Sequence, residues 1–104
     1  AGLVMPQTLT DDHPELVGAV LNELEASVAD VNEASDATVQ AISDANSVPA
    51  PVVKEVIPRL QLEIVPAKDA KDALEDFYTR MSTLSPDIVG GSLPTDDFYM
   101  ADPR

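Results

Sequence analysis

Cysteine is missing from this chain of 104 residues, tryptophan is missing too, and only four aromatic rings occur: Phe77, Tyr78, Phe98 and Tyr99. Without a thiol there is no disulfide framework, no thiolate ligand for a metal and no cysteine nucleophile. The compartment stays open on this point, because many secreted chains also lack cysteine. With so few rings, all of them in the last third, aliphatic residues and alanine carry the packing, and the last third is expected to supply the bulky pieces that close the core. Basic side chains are scarce as well. Six Lys and Arg stand against nineteen Asp and Glu, a formal charge of −13. That balance repels nucleic-acid backbones and anionic bilayers, so neither is expected as a partner. Long apolar runs are also lacking; no stretch of about eighteen residues could insert directly into a membrane.

What is present reads as one helical domain over residues 1–104. Leu3-Val4-Met5, stopped by Pro6, predicts a short strand or extended entry. Thr10 to His13 precede Pro14, which suits a first helical position, and a polar residue before it is expected to cap free amides. From Pro14 to about Val31 the apolar positions Leu16, Val17, Val20, Leu21, Leu24, Val28 and Val31 recur every three or four residues, the pattern of a one-sided helix. Ser35 or Asp36 predicts the start of a shorter helix running to Asp44, with Val39 and Ile42 inward. A third helix is predicted from Val52 to Ile57, facing Val53, Val56 and Ile57 to the core, with Pro58 ending or kinking it. Leu60 to Val65 alternates like a strand but meets Pro66 and has no evident partner, so it is read as extended chain crossing the bundle, with a short strand as the lesser alternative. The fourth helix, Ala70 to about Leu84, gathers Ala73, Leu74, Phe77, Tyr78, Met81 and Leu84 on one face. Glu55–Arg59 and Asp76–Arg80 are favourable i,i+4 pairs.

Candidates for chemistry are few, and each has a simpler structural explanation. His13, the single histidine, sits beside Asp11 and Asp12, but three adjacent side chains diverge, and helix capping explains them better than a metal. Asp69, Asp72, Glu75 and Asp76 interleave with Lys68, Lys71 and Arg80, which reads as a solvated face rather than an acid–base pair in a cleft. Asp96-Asp97 lacks the alternating oxygens of a calcium loop. Gly90-Gly91 lacks the span and the Lys-Ser/Thr ending of a phosphate cradle. The aromatic pairs Phe77-Tyr78 and Phe98-Tyr99 read as core closers. No catalytic, cofactor or metal residue is assigned, and no enzymatic activity is expected.

The closing segment carries the clearest resemblance. A helix ending in Phe77-Tyr78 and Met81 leads into Ser85-Pro86-Asp87-Ile88-Val89-Gly90-Gly91 and then Leu93-Pro94-Thr95-Asp96-Asp97-Phe98-Tyr99. With His13-Pro14-Glu15-Leu16-Val17 opening a long helix, this resembles the C-terminal part of ABC-transporter substrate-binding proteins of the NMT1/THI5-like branch, which bind nitrate, sulfonates, taurine and pyrimidine precursors. The resemblance implies a mainly α fragment of an α/β periplasmic-binding-protein-like (type II) fold: about four helices with extended connections and a short N-terminal strand. It also implies a role in an extracytoplasmic, periplasmic or extracellular solute-binding component of an importer, which buttresses one lobe of a clamshell that docks on an ABC permease. The solute would be held by the intact protein and not by these residues alone, and the exposed apolar faces would favour self-association. Ala1-Gly2-Leu3-Val4-Met5-Pro6 carries no basic leader and is expected to enter mid-protein. A free-standing acidic helical module that binds a protein partner is the alternative.

Overall fold

The computed structural model describes residues 1–104, which form five α-helices and two short 3-10 turns. The mainly α expectation holds. The chain separates into two compact units, residues 1–64 and 65–104.

In the first unit, α1 (Gln7–Asp12) is followed almost at once by α2 (Pro14–Glu33). His13 joins them through its backbone. Its N–H donates to the Leu9 carbonyl at 3.0 Å, closing α1, while its own carbonyl accepts from Leu16 and Val17 at 3.1 and 3.2 Å, opening α2. The side-chain cap expected before Pro14 does not form. A six-residue helix buries nothing and offers no periodicity to read, which is why α1 escaped the sequence pattern. The strand expected at Leu3-Val4-Met5 is not formed either: residues 1–6 have no ladder partner, and Leu3 and Val4 are exposed.

α2 ends at Ala34, whose left-handed backbone (φ 53°) lets its N–H reach the Asp30 and Val31 carbonyls. Ser35 then caps α3 (Asp36–Asn46) as its sequence predicts: the Thr38 backbone N–H donates to Ser35 Oγ at 3.2 Å. Such a cap satisfies one of the otherwise unpaired first-turn amides. α3 stops at Ser47, also left-handed (φ 55°), and Ser43 Oγ donates to the Val48 carbonyl at 2.5 Å, pinning the link.

α4 (Ala50–Leu60) runs past Pro58 by two residues, so the proline does not end this helix. Pro58 lies in the final turn, where the one bond it forfeits is to the carbonyl of exposed Lys54, open to water. Val39, Val53 and Ile57 form the buried centre, with Val31, Ala34, Ile42, Val48 and Ala50 packed around them. Val17 and Leu21 of α2 are buried as well. Val56, expected in the core, is exposed. Beyond α4 the chain is extended without pairing, and Asn32 Nδ2 donates to the Leu62 carbonyl at 3.1 Å, holding this segment to the end of α2.

In the second unit, a turn at Pro66 leads into α5 (Lys71–Leu84), then 3-10 turns at Pro86–Val89 and Asp96–Phe98. The Lys68 N–H donates to the Met100 carbonyl at 3.1 Å, which ties the start of the unit to its end. Gly90 and Gly91 both take positive φ (73° and 90°), and their amides return to the Asp87 and Pro86 carbonyls. L-residues rarely adopt that conformation, so the pair sets the reversal after the first 3-10 turn. α5 itself buries no residue: Leu74, Tyr78 and Met81 are half-covered, whereas Ala73, Phe77 and Leu84 of the expected apolar face are exposed.

Candidate interaction surfaces

The aromatic pairs behave differently from expectation. Tyr99 is 4% exposed, but Phe77 and Phe98 are 55% and 51% exposed, so one ring of the four closes a core. Phe98 stands edge-on to Tyr99 with centroids 5.3 Å apart and planes at 88°, a favourable geometry for ring quadrupoles. Phe77 and Tyr78, 6.1 Å apart, are tilted at 54°.

Around Tyr99 the second unit builds a charged knot. Lys71 Nζ lies 2.8 Å from an Asp96 carboxylate oxygen, 3.6 Å from Glu75 and 5.9 Å from the centroid of the Tyr99 ring. The hydrogen bond to Asp96 raises the Lys71 ammonium above its ordinary range, and the same bond lowers the Asp96 carboxyl. Burial, reinforced by the Glu75 charge, pushes the Tyr99 phenol up. Its hydroxyl is buried without a hydrogen-bond partner. Near the chain end, Arg104 Nη2 meets Asp102 at 2.7 Å, and hydrogen bonds from Arg104 hold the Asp102 carboxyl down to about 2. Asp96, which the sequence offered only as part of an incomplete calcium loop, is thus an anchor. Its partner lies twenty-five positions away, a separation no local pattern reveals.

The other sequence candidates do not converge. His13 Nδ1 is 3.6 Å from Glu15, both exposed, and no group of three or more His, Asp or Glu side chains is placed to hold a metal ion. Asp69, Asp72 and Asp76 face solvent, with Asp76 paired to Arg80 at 3.1 Å, while Glu75 is half-buried beside Lys71. Glu55–Arg59 also forms, at 3.1 Å. No helix is long and apolar enough to cross a membrane.

A second surface lies on α2. Ala19, Val20, Glu23, Leu24 and Ser27 line a shallow open groove of about 300 Å³. These positions recur at three- and four-residue spacing, so they share one face, beside the face that buries Val17 and Leu21. The small side chains of Ala19 and Ser27 create the depression, and exposed Leu16 extends its apolar floor by one turn. The charge along α2 itself has one sign. α2 carries Glu15, Glu23, Glu25, Asp30 and Glu33 and no base, and residues 1–53 contain neither Lys nor Arg. The sequence pattern identified the apolar periodicity of α2 but not how much of it finds cover: Leu16 is exposed and Val20 and Leu24 are half-buried. No protein-family model matches this sequence, and neither a curated protein nor a solved structure matches it significantly.

Proposed function

We propose that this chain is part of the extracytoplasmic solute-binding component of an ABC importer, and that it props one lobe of a ligand clamshell without catalysing a reaction. The observation that carries this reading is the mismatch between core and apolar surface. Six hydrophobic residues are buried, yet thirteen large ones are exposed, among them Val52, Val56 and Leu60 on α4 and Phe77, Leu84, Ile88 and Phe98 in the second unit. Scattered exposed apolar residues are ordinary, but rows of them along helix faces mark surfaces made to be covered. A lobe built around a β-sheet would cover them. The order of helices and the anchored Pro86-to-Tyr99 close are consistent with the same resemblance. In this reading solute enters between two lobes that hinge shut, held by oriented polar groups in a concave site, and the closed form docks on a permease in the periplasm or outside the cell.

Calorimetry tests this. The intact protein that contains this chain is expected to bind a small anion or amine drawn from the nitrate, sulfonate, taurine and pyrimidine-precursor classes, whereas residues 1–104 alone bind none. Failure of the intact protein to bind any of these solutes, or retention of binding by residues 1–104, overturns the reading. The chain alone is also expected to associate with concentration through its uncovered α4 and α5 faces, and sedimentation as a clean monomer at high concentration counts against the buttress role.

A further inference from the structure

In the transport reading a lobe sheet accounts for the faces on α4 and in the second unit; the stripe on α2 is instead flanked by acids, and we propose that it is a docking groove for an amphipathic helix of a protein partner, one presenting an aliphatic ridge between flanking Lys and Arg side chains. The floor fits such a ridge. Leu16, Val20 and Leu24 succeed one another at four-residue intervals, and Ala19 and Ser27 leave the shallow volume of about 300 Å³ beside them. Helix-in-groove recognition reads a ridge of anchors at this same spacing.

Charge selects the occupant. Glu23 lies in the groove lining, and Asp30, seven residues on, falls on the same flank of the helix. Neither has a cationic partner among the ion pairs of the chain. A second copy brought face to face would set Glu23 and Asp30 against like charges, each copy carrying a formal −13. A partner with basic flanks covers the same apolar floor and neutralises that rim. Complementarity of this kind acts chiefly on encounter rate and on choice of partner, and it weakens as salt shortens the reach of the field.

The test uses the full 104-residue chain and two synthetic helical peptides that share one leucine ridge, flanked by lysines in one and by glutamates in the other, followed by fluorescence anisotropy. The lysine-flanked peptide is expected to bind at least about tenfold more tightly than its glutamate twin, and to lose affinity as salt rises from roughly 0.05 to 0.3 M. Ser27→Arg, at an exposed position, both fills the depression and opposes the charge of the peptide, and it is expected to weaken binding about tenfold while leaving the circular-dichroism melt unchanged. Glu23→Gln is expected to weaken it by a smaller factor and to reduce the salt dependence. Equal binding of the two peptides, binding of neither, or binding that survives Ser27→Arg overturns the proposal. A self-association in sedimentation that Ser27→Arg abolishes also overturns it, by placing a second copy in the groove.

Discussion

Residues 1–64 and 65–104 are held together by different means. The first unit has a packed aliphatic centre, Val39, Val53 and Ile57, and Val17 and Leu21 of α2 are buried too. The second buries one residue, Tyr99, and otherwise depends on the Lys71–Asp96–Glu75 knot, the Lys68-to-Met100 backbone bond and the turn at Gly90-Gly91. Apolar burial is worth roughly 1.5–3 kcal/mol for each fully buried aliphatic side chain, whereas ion pairs open to solvent are individually weak. The first unit should therefore resist salt and pH, and the second should respond to both.

The largest expected effect is on the first unit. Ile57 is 4% exposed at the centre of the cluster, so Ile57→Ala should cost about 2–5 kcal/mol from lost transfer energy and the cavity left behind. Urea denaturation followed by circular dichroism at 222 nm measures it, and a loss well under 1 kcal/mol would mean that this core is loosely packed. Ser35→Ala should cost about 1 kcal/mol by leaving the Thr38 amide uncapped, again seen as a lower urea midpoint.

Acid sharpens the contrast. The Asp96 carboxyl is lowered in the folded state by Lys71, and Asp102 is held at about 2 by Arg104. Groups with depressed folded pKa contribute stability above their unfolded value, and that contribution is lost as pH falls through the folded one. Hydrogen exchange should therefore show residues 65–104 loosening as pH drops from about 4 toward 2, and Asp96→Asn should remove the Asp96 share of that response. Lys71, raised by the same contact, acts in the opposite sense: its contribution is complete below pH 10.5 and is lost above it. Equal acid sensitivity in both units would break the comparison. The smallest effect concerns the Tyr99 hydroxyl, which is buried without a partner. Tyr99→Phe keeps the ring and removes the unsatisfied group, so the melting temperature should hold within about 4 °C or rise; a larger fall would reveal a hydrogen bond to the phenol.

Local signals in the sequence marked what local physics decides. Pro14 and Ser35 mark two helix starts because first-position proline and a side-chain cap act within a single turn. The i,i+4 pairs form for the same reason. Periodicity found the apolar face of each longer helix, but it could not measure how much of that face finds cover, so Val56, Phe77 and Leu84 were placed inside and are exposed. Helix ends were harder still. α2, α3 and α4 each stop at a left-handed residue that is not glycine (Ala34, Ser47 and Gln61), so nothing in the residue type announced the stop. Pro58 pointed to an earlier end than the one observed. The Lys71–Asp96 contact and the burial of Tyr99 rather than Phe98 depend on where the tail returns, which only tertiary structure fixes.

The confinement of every Lys and Arg to positions after residue 53 also shapes how this molecule can be handled. Trypsin finds its first cleavage point at Lys54, inside α4, so α1, α2 and α3 leave a digest on one long peptide, and a tryptic footprint is blind to whatever covers them. Lysine side chains for tags and surface tethers occur only from α4 onward, which leaves the α2 stripe itself unlabelled while its occupant is sought. A glutamate-cutting protease, with Glu15, Glu23, Glu25 and Glu33 all on α2, is the reagent that would see protection there.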